Sequence, residues 1–183
     1  MTGRGKFKGR IMDASTIQRA LQRIAHQILE RNPRVEDLVL IGIRTRGVPL
    51  ALRLASIIKS LEGRPVAVGV LDISLYREDL TQIDDCPVLN KTEIPFDITG
   101  KVLILVDDVL FTGRTTRVAL NALMDMGQPR LVQAAVLIDR GHRQLPIHAD
   151  YVGKNVPTTD NEIVHVMLKE TDNEEQVFLA EKD

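Results

Sequence analysis

At 183 residues and a net charge of −1, the chain is long enough for one sizeable core and too nearly neutral for a globally basic nucleic-acid binder. Valine, isoleucine and leucine dominate its 44% hydrophobic content, aromatics make up 3% and tryptophan is absent, so an aliphatic sheet core fits and a stacking-based single-strand binder does not. Cys86 is the single cysteine, which excludes an internal disulfide and a cysteine metal cluster, and no apolar run approaches the ~20 residues of a membrane span.

The first residues lack the apolar segment of a secretory signal, and the expectation is a soluble cytoplasmic protein. Arg4, Lys6, Lys8 and Arg10 make residues 1–12 a basic arm. Ile17, Ala20, Leu21, Ile24, Ala25 and Ile28 then recur at helical spacing, with Asp13 or Ser15 placed to cap the start and Asn32-Pro33 to end it. Residues 38–43 read as a buried strand, 48–61 as a helix closed by Gly63, and 66–73 as a second strand. Residues 76–96 are polar, contain Pro87 and Pro95 and have no clear period, which predicts a long loop of the functional or mobile kind. A strand from Val102, a helix from Thr115 and a strand over 131–139 follow. Val118, Leu120, Leu123 and Met124 are the apolar positions of that helix. Pro146, Gly153 and Pro157 break up the next stretch, and 163–168 and 177–180 read as short closing strands. Strands alternating with helices predict an α/β domain with a parallel sheet, and no repeat or linker divides it.

Residues 102–116 carry the strongest functional signal. Five apolar residues run into Asp107-Asp108, and Thr112, Gly113, Arg114, Thr115 and Thr116 follow. Open α/β sheets bind ligands at the carboxyl ends of their strands, and backbone N–H groups at a helix start suit a phosphate. Carboxylates for hydroxyls beside a phosphate cradle predict a phosphorylated ribose. Three other readings compete: a capped helix with aspartates in a turn, a carboxylate metal pair, and a nucleotide P-loop. The last lacks its pattern, because a single glycine precedes Arg114.

Residues 106–116 resemble the diphosphosugar signature of the type I phosphoribosyltransferases, which use phosphoribosyl pyrophosphate (PRPP). The resemblance implies a central, mostly parallel sheet flanked by helices with a small hood. It makes Asp107 and Asp108 ligands of the ribose hydroxyls, and Thr112, Gly113, Arg114, Thr115 and Thr116 the cradle of the 5′-phosphate. Residues 41–48, Ile-Gly-Ile-Arg-Thr-Arg-Gly-Val, resemble the family's pyrophosphate loop, with Thr45, Arg46 and Gly47 facing the leaving group. Residues 74–80 resemble the start of the family's active-site loop, which would deliver Arg77 on closing. The implied domain is 1–183, with the loop at 76–96 and the hood and closing strands at 140–183. Arg46, Arg77, Asp107 and Asp108 are then the catalytic residues, and Mg2+ the cofactor, held mainly through PRPP and water.

Residues 139–146, 149–157 and 23–26 narrow the resemblance to the pyrimidine-operon attenuators of the family, which are also uracil phosphoribosyltransferases. Nearly the whole chain is covered. The 6-oxopurine enzymes carry aspartate before the Thr-Gly of the signature, where this chain has Phe111, and that points away from purines. The implied partners are PRPP, uracil, UMP, pyrophosphate and the leader mRNA of a pyrimidine operon, in a homodimer or homohexamer. Arg19, Arg23 and His26 share one stripe of the first helix opposite its apolar positions. A solvated cationic face would look the same; the resemblance makes it an RNA surface with Arg143 and Lys154. Gln22 and His148 depart from the threonine and arginine expected there. Two other readings stay open: a uracil phosphoribosyltransferase without RNA binding, and a weakly catalytic nucleotide-sensing RNA regulator.

Overall fold

The structure, a computed structural model, describes residues 5–74 and 92–182. Its order is β1 (Lys6–Asp13), α1 (Ala14–Arg31), β2 (Leu38–Ile43), α2 (Gly47–Glu62), β3 (Ala67–Leu71), β4 (Val102–Leu110), α3 (Arg114–Met126), β5 (Leu131–Asp139), β6 (Tyr151–Asn155), β7 (Glu162–Met167), α4 (Lys169–Asp172) and β8 (Gln176–Glu181). A five-stranded sheet runs β3-β2-β4-β5-β6 with every neighbouring pair parallel, and a three-stranded antiparallel sheet runs β1-β8-β7.

Both faces of the parallel sheet are covered, which is why β2 and β4 are unbroken apolar runs rather than alternating ones. Leu38 and Leu40 of β2 and Val102, Ile104 and Val106 of β4 pack with α1 and α2. Val39, Ile41 and Ile43, with Leu103 and Leu105, pack on the opposite face against Ala119, Ala122 and Leu123 of α3. Helix α1 buries all six residues of its predicted stripe, and Asp13 caps it by accepting from the Thr16 N–H at 2.8 Å. Gly63 closes α2 in the left-handed region, at φ 69°.

Several expectations need correction. Residues 6–12 are not a free arm: Lys6, Lys8 and Arg10 lie on β1, which pairs along β8 from Lys6↔Glu181 to Asp13↔Gln176. Arg4 lies outside the described residues. The stretch broken by Pro146, Gly153 and Pro157 contains β6, an edge strand in register with β5 from Ala135↔Tyr151 to Asp139↔Asn155. Gly153 is compatible with a strand because the Leu137 carbonyl lies 2.4 Å from where its Cβ would stand. Met124 is 48% exposed, because small residues, Ala119 and Ala122, form the inner face of α3 with Leu123. No helix among the described residues is long and apolar enough to cross a membrane.

Candidate active site

The carboxyl ends of β2, β3 and β4 meet around a cavity of about 340 Å3 lined by Arg44, Thr45, Arg46, Asp72, Ser74, Asp107, Asp108 and Thr115 among others. This is the strand end at which parallel sheets place ligands. Strand β4 continues through Leu110, so Asp107 and Asp108 sit within it, both partly exposed. The loop after β2 approaches β4 closely: the Val106 carbonyl lies 2.3 Å from where a Cβ on Gly47 would stand. Gly42 is equally confined, with the Val48 Cα at 2.6 Å from its hypothetical Cβ. The Arg44–Thr45 peptide is cis.

A second cavity, of about 400 Å3, adjoins the first and shares Val109 and Thr115 with it. It is lined by Phe111, Thr112, Gly113, Arg114, Thr115, Thr116 and Gln144. Gly113 caps α3 at φ 90° without a side-chain bond of its own; the first helical N–H, that of Arg114, donates to Thr112 Oγ1 at 3.3 Å, and the helix start lines the cavity, where N–H groups suit an anion. The loop is fixed from the hood, because Gln144 and Leu145 donate backbone bonds to the Thr112 carbonyl at 3.0 and 3.2 Å. Arg114 donates to Gln144 Oε1 at 3.0 Å.

The hood closes the far side through Arg140, His142 and Arg143. Arg140 donates to the Glu162 carbonyl at 2.8 Å and to Thr158 Oγ1 at 3.1 Å, with its guanidinium 4.0 Å from the Phe111 ring centroid. Burial pulls the Arg140 pKa below its ordinary value, partly countered by Glu162 and Asp160. Arg143 bridges Asp139 at 2.5 Å and the Phe111 carbonyl at 2.6 Å. Burial works to raise the Asp139 carboxyl, but bonds from Arg143 and the Gly141 N–H outweigh it and hold the pKa below the ordinary value.

Arg19, Arg23 and His26 are exposed along α1 and line neither cavity. Arg23 donates to the Val152 carbonyl at 3.2 Å and to that of Gly153, and Lys154 donates to the Ile11 carbonyl at 3.4 Å. Strand β6 thus brings Lys154 beside the α1 stripe. Arg143 is held in the hood, away from that pairing, and its side chain is 16% exposed. Gln22 and His148 are exposed.

A family model for the phosphoribosyl transferase domain matches residues 9–171. The chain belongs to that family. This phosphoribosyltransferase is 60% identical to the "Bifunctional protein PyrR" of Pelotomaculum thermopropionicum over 95% of its own length and 96% of the relative. It is 58% identical to the protein of the same name from Thermus aquaticus, over 97% and 98%. These relatives place it in the PyrR branch. Its fold matches the hypoxanthine phosphoribosyltransferase of Trypanosoma cruzi with a TM-score of 0.73 at 20% identity, over 97% of this chain and 98% of that one.

Arg77, Cys86 and residues 76–91 of the expected loop lie outside the described residues. Two carboxylates, one lining the first cavity and one bonded to Arg46 in its wall, escaped sequence reasoning. Asp72 is 7% exposed; its Oδ1 accepts from the Ser74 N–H and hydroxyl at 2.9 and 2.6 Å, while its buried Oδ2 has no hydrogen-bond partner. A first polar residue after the apolar β3 run is the signal that could have found it, the same one that marks Asp107. Asp172 accepts from Arg46 Nη2 at 2.7 Å and Nε at 3.0 Å, across a separation of 126 residues that no local pattern announces.

Proposed function

We propose that the chain is a uracil phosphoribosyltransferase, converting uracil and PRPP to UMP and pyrophosphate, and that it also binds the leader mRNA of a pyrimidine operon under the control of UMP. The observation that carries the enzymatic reading is the sharing of Val109 and Thr115 by two cavities. One offers Thr45 and Arg46 with Asp107 and Asp108, Gly47 being buried behind them against β4; the other offers the Thr112–Thr116 turn. A single ligand with pyrophosphate, ribose hydroxyls and a 5′-phosphate spans both in that order.

Asp107 and Asp108 accept hydrogen bonds from the ribose hydroxyls and stabilise positive charge developing on the ring. Uracil N1 forms the new bond to the anomeric carbon, the bond from that carbon to the pyrophosphate oxygen breaks with its electron pair, and the N1 proton passes to solvent. Arg46 stabilises the charge gathering on the leaving group. Catalysis is therefore positioning and electrostatic stabilisation, without a covalent nucleophile. Phe111, packed under Arg140 and beside His142, offers the base an apolar wall with no proton acceptor for a purine N7.

Members of the family generally use Mg2+ with PRPP. The site suits it: the orphaned Asp72 Oδ2 is an acceptor for a metal-bound water, and Asp107 and Asp108 line the same cavity. Among the described residues no group of three or more histidine, cysteine or carboxylate side chains is arranged to hold the ion directly, so substrate and water would complete its shell. Bound there, Mg2+ would neutralise pyrophosphate charge.

The RNA surface in this reading is Arg19, Arg23, His26 and Lys154, with Arg143 acting from the hood beside the nucleotide. The exposed stripe and its junction with β6 support it. Each phosphate contact would add about 0.7–0.9 to the salt slope of affinity. The cytoplasm is the compartment that supplies PRPP and leader mRNA. A homodimer or homohexamer is part of the same proposal; light scattering measures it.

One purified protein tests both activities. Pyrophosphate release with PRPP should depend on uracil and not on hypoxanthine, guanine or orotate; no uracil-dependent turnover sinks the enzyme. Affinity for a leader hairpin should exceed that for an unrelated RNA, rise with UMP and fall for Arg23→Gln. Equal, UMP-independent affinities sink the attenuator.

A further inference from the structure

The group that holds the proposed pyrophosphate arginine comes from the opposite end of the chain. Arg46 ends the loop after β2, and Asp172 ends α4, between β7 and β8. The two make a bidentate pair, Nη2 to Oδ1 at 2.7 Å and Nε to Oδ2 at 3.0 Å. Asp172 is itself fixed, because its Oδ2 also accepts from the Leu168 N–H at 3.0 Å and the Thr171 hydroxyl at 2.6 Å. Its side chain is 11% exposed, whereas that of Arg46 is 35% exposed and lines the cavity. A guanidinium has five donors in a planar fork, so a carboxylate on its Nε edge leaves Nη1 and one Nη2 hydrogen for a ligand. Arg53 anchors the same connection to α2 through Glu170 and Glu175, outside the cavity.

We infer that Asp172 is a positioning residue for the leaving group: it clamps Arg46 so that the free edge of the guanidinium meets pyrophosphate already ordered. The inference rests on the reading of Arg46 as a pyrophosphate ligand. Two effects oppose each other. The Asp172 charge repels an incoming anion, while the clamp removes the rotamer entropy that a free arginine loses on binding. The backbone and hydroxyl bonds to Asp172 decide between them, since they satisfy and lock the carboxylate independently of Arg46. An exchangeable counter-ion would need no such frame.

The test is a double-mutant cycle on the full chain: Arg46→Gln, Asp172→Asn and both together, with Arg53→Gln as a control outside the site. Pyrophosphate binding with Mg2+ is measured by calorimetry, and kcat and the two KM values by steady-state kinetics. Asp172→Asn should weaken pyrophosphate and raise the PRPP KM by about three- to tenfold, leave the uracil KM in place, and add nothing once Arg46 is Gln. Arg53→Gln should lower Tm without moving pyrophosphate affinity. Unchanged or tighter pyrophosphate binding in Asp172→Asn overturns the inference while Arg46 keeps its role, and so does an equal loss in Arg53→Gln. Unchanged binding in Arg46→Gln overturns both readings. Should Asp172→Asn not fold, Thr171→Ala removes one bond from the carboxylate without touching Arg46 and must weaken pyrophosphate in the same direction.

Discussion

The Arg140 guanidinium lies 4.0 Å from the centroid of the Phe111 ring, and the ring meets His142 edge-on at 5.8 Å. Phe111 is still 37% exposed, so a residue between the Gly113 turn and the hood presents an apolar face while its geometry is set by a buried cation. Phe111→Ala should therefore raise the uracil KM, leave the PRPP KM near its starting value, and lower stability by about 1 kcal/mol through the lost cation–π contact. Kinetics with each substrate varied in turn measure the split; an equal rise in both KM values would remove Phe111 from the base pocket.

Acid should weaken the junction of β1 with the antiparallel sheet. Lys8 and the Thr159 N–H bond Glu162 and depress its pKa from 4.5 to about 2. Bonds from the Thr16 hydroxyl and N–H, then Ser15, lower Asp13 from 3.8 to about 2. A depressed carboxyl stabilises the fold above its unfolded value and loses that contribution as pH falls through the folded one. Tm should thus decline between pH 4.5 and about 2, and Glu162→Gln should flatten that limb while lowering Tm at neutral pH. An acid limb as steep as that of the parent would show that the pair contributes nothing.

Gly47→Ala has no room. The Val106 carbonyl sits 2.3 Å from the new Cβ and belongs to the backbone of the central strand, so the loop after β2 must move. Overpacking of this kind costs about 1–3 kcal/mol. Urea unfolding should report that loss, and the PRPP KM should rise with it. Parental values for both would show that the loop is not held against β4.

A buried polar knot joins α1 to β5 and β6. Gln133 Oε1 accepts from Tyr151 Oη at 2.9 Å and Asn32 Nδ2 at 2.8 Å, and Asn32 also donates to the Ile28 carbonyl at 2.9 Å. Tyr151→Phe leaves Asn32 and Gln133 bonded to each other and should cost about 1 kcal/mol. Gln133→Leu leaves the buried Tyr151 hydroxyl without its acceptor and takes one of the bonds of the Asn32 amide, and should cost about 2–3 kcal/mol. Chemical denaturation orders the two; the reverse order would mean that the donors find other acceptors.

Much of this was legible along the chain. Strands β2 and β4 announce themselves because a strand covered on both faces is apolar at every position, and α1 because one face is buried at helical period. The carboxylates and the glycine turn at the end of β4 are readable for a similar reason: ligand groups at a strand end are contiguous in sequence. Residue type and spacing record what a residue does with its near neighbours. They do not record which distant segment supplies a partner. Lys8 turned out to be a strand residue because β8, nearly the whole chain away, offers its edge. Arg46 came with a motif, but its partner Asp172 did not, since the 126 residues between them are closed only when α4 folds over α2. The sequence by itself determined the aliphatic parallel sheet and the run of carboxylates and glycine turn that ends its central strand. Only the tertiary structure decided that the basic arm is a strand, that Arg143 is tied to Asp139 and the Phe111 carbonyl, and which carboxylate steadies Arg46, because hydrogen bonds and ion pairs between distant segments exist only once the chain has brought them together.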